Sequence, residues 1–178
     1  MTVHRRLRDP LIPRLALTLL LVALTSAAAR AQQPPEELSH FPQSDLTIAS
    51  HGKLHKFRIW LADNSRRKQQ GLMFVRDLPA DRGMLFVNDQ PYIASMWMKN
   101  TFVALDMVFI GADGRIAEIR ANTTPHSLEI IAPREPALAV LELRGGEAAR
   151  LGIAPGDAVD HPTLRHNTGR RKKATQDQ

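Results

Sequence analysis

Leu105-Asp106-Met107-Val108-Phe109-Ile110-Gly111-Ala112-Asp113-Gly114-Arg115-Ile116-Ala117-Glu118-Ile119-Arg120 is the stretch that decides the fold class. Two runs rich in β-forming residues flank a Gly111–Gly114 turn, and Asp-Gly between apolar runs is a strong local signal for a hairpin. Upstream, Leu46–Ala49 and His55–Leu61 flank Ser50-His51-Gly52-Lys53, and Phe57, Ile59 and Leu61 alternate with polar neighbours. That spacing predicts a second hairpin with one buried face.

Closer to the centre, Gly83–Val87 and Ile93–Met98 read as strands around a turn at Asn88–Pro91. Downstream, Ala137–Leu143 reads as a strand and Gly146–Leu151 as a single helical turn stopped by Gly152. Pro155-Gly156-Asp157 reads as a tight turn. Asp63-Asn64-Ser65 can cap a helix running to about Phe74, with Gly71 weakening its end. Many short strands with one short helix predict a mainly β chain, folded as a compact β-sandwich or barrel-like domain.

With 178 residues, the chain has room for one domain of ordinary size. Arg5, Arg6, Arg8 and Arg14 precede the apolar run Leu15–Leu24, and Ala29-Arg30-Ala31 follows as a small-x-small site. This pattern predicts a signal peptide over residues 1–31, cleaved before Gln32, and an exported, periplasmic or secreted product with no stable membrane anchor. Arg5-Arg6 leaves the export route open. Residues 32–43 read as a linker, 44–164 as the β domain and 165–178 as a basic, disordered tail.

Charge location excludes one class of partner. The net charge is +6, yet residues 32–164 hold 14 basic and 16 acidic side chains, a net −2. Basic character belongs to the leader and the tail, so the domain lacks the electrostatic footprint of a nucleic-acid-binding fold. The absence of cysteine removes disulfides, thiolate metal sites and a cysteine nucleophile.

A set of motifs follows in order: Gly71-Leu72-Met73-Phe74-Val75-Arg76, Gly83-Met84-Leu85-Phe86, Trp97-Met98-Lys99-Asn100-Thr101, Leu105-Asp106, Asp113-Gly114, Val140-Leu141-Glu142-Leu143, Gly146, Gly152-Ile153 and Gly156-Asp157. Together they resemble family 192 of the domains of unknown function, over about Phe57–Val159. The resemblance implies a compact β-sandwich or barrel with a short helix, and no known activity. Ala104 stands where members of that family often carry proline before Leu-Asp.

Lys99, Asn100, Thr101 and Asp106 are the polar cluster in the otherwise apolar stretch 93–110. If the flanking strands form a hairpin, Lys99 and Asp106 meet across it as an ion pair, because a buried ammonium needs a partner. The same four residues could instead line a small polar pocket that holds a carboxylate or sugar hydroxyls. The leading functional expectation is a non-enzymatic exported domain that binds a small polar ligand or an envelope partner near Lys99, Asn100 and Asp106. A hydrolase-like enzyme using Asp106 with Lys99 is the second reading. A periplasmic copper(I) protein using Met96 and Met98, two apart on one strand face, is the third.

Other candidates are thin. His126-Ser127 could offer a base and a hydroxyl, but neighbours in sequence rarely meet, and no Gly-x-Ser-x-Gly elbow is present. His51, His55, His161 and His166 lack the spacing of a zinc site and read as solvated, so no metal is predicted. The glycines mark turns, without a phosphate cradle, and no cofactor is predicted.

Overall fold

The computed structural model describes residues 35–165; the predicted leader and nearly all of the predicted tail, including His166, lie outside the described residues. A hairpin opens the sheet, with β1 (Gln43–Ser50) antiparallel to β2 (Lys53–Ala62). His51 and Gly52 connect them with φ of 47° and 73°. Positive φ at both central residues is the geometry that matches the right-handed twist of the paired strands. A short helix, α1 (Ser65–Gln70), follows. The Asn64 side chain caps it by accepting from the Arg67 amide at 2.9 Å. It ends before the predicted Phe74 because Gly71, at φ 53°, turns the chain out of the helix.

The next strand, β3 (Arg82–Tyr92), runs parallel to β2. The hairpin of β4 (Leu105–Ile110) and β5 (Ile116–Thr123) forms as its sequence predicts. Next come β6 (Ala137–Arg144), helix α2 (Glu147–Leu151) and β7 (Ala158–Asp160). Together the strands make one seven-stranded sheet in the order β5-β4-β6-β3-β2-β1-β7. At one end the two edge strands meet. Ile116 donates to the Asp157 carbonyl at 2.9 Å, Gly156 to Ile116 at 2.7 Å and Val159 to Gly114 at 2.8 Å. The sheet therefore curls towards closure as a half-barrel, and pairing at this end protects edges that would otherwise be left bare.

Curling gives the sheet two different faces. Inside, Leu46, Ile48, Phe57, Ile59, Leu85, Val108, Ile110, Leu141 and Leu143 form the main core. On the opposite face of β3, β6 and β4, the residues Met84, Phe86, Met107, Phe109 and Val140 are covered by Leu72, Leu78, Ala94 and Met98. Seven of the eight residues of β6 are consequently buried, since this central strand has cover on both faces. Full burial of each large side chain stabilises the fold by roughly 1.5–3 kcal/mol.

Two sequence expectations for the segment 88–98 need correction. The predicted turn at Asn88–Pro91 does not form, since β3 continues through it to Tyr92. The predicted strand Ile93–Met98 is also absent; this segment crosses the outer layer, and only Met96 pairs, with Ile131, by bonds of 2.8 and 2.9 Å. Ala94 and Met98 face inward while Ser95 and Trp97 face out, so a covering segment has the alternation of a strand without its partners. Within the segment predicted as a linker, Glu36 pairs with Arg67 at 2.7 Å and Phe41 is buried. The domain's packing therefore begins upstream of Ser44.

Candidate functional site

The Trp97–Thr101 block forms a turn on the outer layer, and backbone bonds hold it from three directions. Phe74 donates its amide to the Asn100 carbonyl at 2.8 Å, His126 to Thr101 at 3.2 Å, and Met98 to Ser127 at 3.1 Å. Phe74, Asn100 and His126 all lie in the left-handed region, at φ 67°, 57° and 64°. Such conformations cost of order 1 kcal/mol for residues with a β-carbon, and they cluster where surrounding structure fixes a functional shape. Three converging segments thus share one strained junction.

Side chains at this junction combine cations with rings. The Arg76 guanidinium lies 4.5 Å from the centroid of Phe102, and the Lys99 ammonium 5.1 Å from that of Trp97. His126 packs edge-on to Phe102 at 4.9 Å, with Phe74 on the same ring at 6.4 Å. Arg76, Lys99 and His126 are exposed, and Phe74 and Trp97 are 48% and 45% exposed. Stacking on the rings restricts these long, exposed cationic side chains modestly.

Of the four sequence-predicted residues, three sit at this junction. Lys99 is at its surface, Asn100 is half-buried and Thr101 is buried. Asp106 is elsewhere. It is wholly buried, and its carboxylate accepts from the amides of Asn122, Gly146 and Ala148, each at 2.9 Å. It ties the end of β5 to the start of α2, and no Lys99–Asp106 ion pair forms among the described residues. The pairing expected from a hairpin fails because Lys99 precedes a left-handed turn that sends it outward. An enzyme built on those two side chains thus lacks its geometry.

The copper reading loses its basis in a similar way. Met98 is buried, its sulfur accepts from the Thr123 hydroxyl at 3.1 Å, and Met96 packs on the same layer. Both thioethers serve packing. His161, expected to be solvated, is buried and bonded to Ser44 at 2.7 Å. Its Nδ1 lies 3.3 Å from the Thr163 amide, which donates to it. With Nδ1 accepting, a neutral ring carries its proton on Nε2 and donates to the serine.

Arg76 and Phe102 escaped the sequence reading as site residues, and so did a buried acid. Glu142, in the middle of β6, is 4% exposed and its Oε2 has no hydrogen-bond partner. Met84 and Met107 are its register neighbours on either side, and a β-carbon placed on Gly71 would lie 3.9 Å from Oε2. Burial alone pushes its carboxyl up to about 8. The available signal was a lone acid in an otherwise apolar run of a central strand.

Comparison with known proteins agrees with this description. The family model DUF192, described as "Uncharacterized ACR", matches residues 46–161. A crystal structure of a protein of unknown function from Novosphingobium aromaticivorans DSM 12444 is 39% identical, with a TM-score of 0.68 over 76% of this chain and 96% of that one. A second, from Sinorhizobium meliloti 1021 and provisionally titled a transcription regulator, is 40% identical, with a TM-score of 0.66 over 67% of this chain and 94% of that one. No curated protein matches. The match across most of the chain, from the first hairpin to the final strand, establishes that this protein belongs to the DUF192 family.

Proposed function

We propose that the domain is a non-enzymatic binding module of an exported protein, and that it holds a carboxylate-bearing saccharide on the Arg76–Lys99–His126 face. The observation that carries this reading is the pair of stacked cations, Arg76 on Phe102 and Lys99 on Trp97, at a junction fixed by left-handed Phe74, Asn100 and His126. A guanidinium offers a planar fork to a carboxylate and an ammonium offers a point charge. Partly exposed Phe74 and Trp97 supply flat apolar surface for the face of a sugar ring. Asn100 and Thr101 shape the turn, and Asp106 braces the strand beneath.

The provisional title of the Sinorhizobium relative suggests nucleic acid as a rival ligand, but a domain of net charge −2 offers little to a phosphate backbone. Titration of the mature protein with oligogalacturonate, followed by amide chemical shifts, tests the proposal. The shifts should centre on Phe74, Arg76 and Trp97–Phe102, with a neutral galactose oligomer giving none. Arg76→Ala and Lys99→Ala should each weaken binding about tenfold, as expected when one charge-assisted contact is lost. Equal binding of the neutral oligomer, or shifts centred elsewhere, would refute it.

A further inference from the structure

Beneath the binding face lies the unsatisfied acid. Gly71 caps α1 by donating to Arg67 at 2.8 Å, and the chain then runs through Met73 to Phe74 and Arg76. Gly71 is therefore the root of the segment that delivers one of the two stacked cations. Its underside rests on the Phe86 ring, 3.3 Å from where a β-carbon would stand, with Glu142 Oε2 just beyond. A neutral carboxylic acid fits this apolar floor. A carboxylate there has no donor, and must either draw in water or displace the turn.

We propose that Glu142 is a proton-operated latch under the Gly71–Arg76 segment: protonated, it lets the segment seat against Asn100, and ionised, it unseats Phe74 and Arg76 from the binding face. This rests on the binding reading above for its consequence, though not for its mechanism. Burial supports the latch, because desolvation moves the carboxyl's titration up to about 8, where the proton is held at neutral pH and lost in mild alkali.

Charged groups on the packed elements are engaged elsewhere. Lys68 of α1 donates to the Val87 carbonyl at 2.6 Å, and Arg82 of β3 bonds Gln43 and lies over Trp60. Asp106 of β4 is held by its three amides, and Arg144 of β6 reaches Glu147. On the same face, Arg120 of β5 is the register partner of Met107 and pairs with Glu118 at 2.8 Å, while Met84, Met107 and Phe86 are the apolar neighbours.

Two readouts on the mature protein separate the latch from the ligand. Hydrogen-exchange protection factors of the Gly71 and Phe74 amides, corrected for intrinsic rates, should fall roughly tenfold between pH 7.5 and 9.5 in the wild type. They should stay level in Glu142→Gln, and in Glu142→Met should the first variant fail to fold. Affinity for oligogalacturonate should fall in parallel in the wild type alone. Level protection factors in the wild type would overturn the latch whatever the ligand does. Falling protection without any oligogalacturonate binding would uphold the latch and refute only the proposed ligand.

Discussion

Asp106 and Glu142 stand one register step apart on neighbouring strands, and the sheet treats these two buried acids in opposite ways. Asp106 pairs with Leu143 while Glu142 pairs with Met107, so they point to opposite faces. On the inner face, Asp106 receives three backbone amides and serves as a fastener between β5 and α2. On the outer face, Glu142 sits among methionine and phenylalanine with one oxygen unpartnered. A buried acid that accepts several amides strengthens a fold, whereas one without donors weakens it. The first needs no function to explain it; the second invites one.

Breaking the fastener should give the largest effect. Asp106→Ala removes both acceptors of three backbone donors, one of them buried, and should cost about 3–5 kcal/mol in urea unfolding. Asp106→Asn, which keeps one carbonyl acceptor, should cost less. Adding Lys99→Met to Asp106→Ala should change stability by under ~0.5 kcal/mol beyond the single variant, since the two side chains do not meet. A large coupling energy would restore the ion pair and undo the geometry described above.

The contrasting acid should respond in the opposite direction. Glu142 titrates near 4.5 when unfolded and near 8 when folded, so the folded state holds the extra proton between those values. Wild-type stability therefore falls as pH rises through that window and levels above it. Glu142→Gln should remove the fall and be more stable than wild type by up to about 3 kcal/mol at pH 7. A destabilised Gln variant with an unchanged pH slope would show that Glu142 has a partner after all.

Much of the fold was legible because its signals are local. The Asp113-Gly114 turn, the alternating Phe57, Ile59 and Leu61, the Asn64 cap and the Gly152 stop each act within a few residues. What failed was long-range. Ile93–Met98 alternates because it covers another layer, and no local pattern distinguishes a cover from a strand. The same cause hid Glu142. An acid at alternate spacing in a strand looks solvated until Leu72 and Met98, distant in sequence, are seen to lie over that face. At the candidate site, Lys99, Asn100 and Thr101 stood out as polar residues in an apolar run. Arg76 and Phe102 did not, and His126 was weighed only as a base beside Ser127, since only the folded chain brings these three to the same turn.

The contrast between the two acids rests on the proton held by Glu142, and carboxyl ¹³C chemical shifts of the folded protein across a pH titration observe it directly. Comparison with Glu142→Gln assigns the resonance. A Glu142 midpoint near 8 is expected. A midpoint in the ordinary range near 4.5 would mean that the carboxylate is charged and satisfied at neutral pH, and both the strain assigned to it and the latch built on it would be wrong.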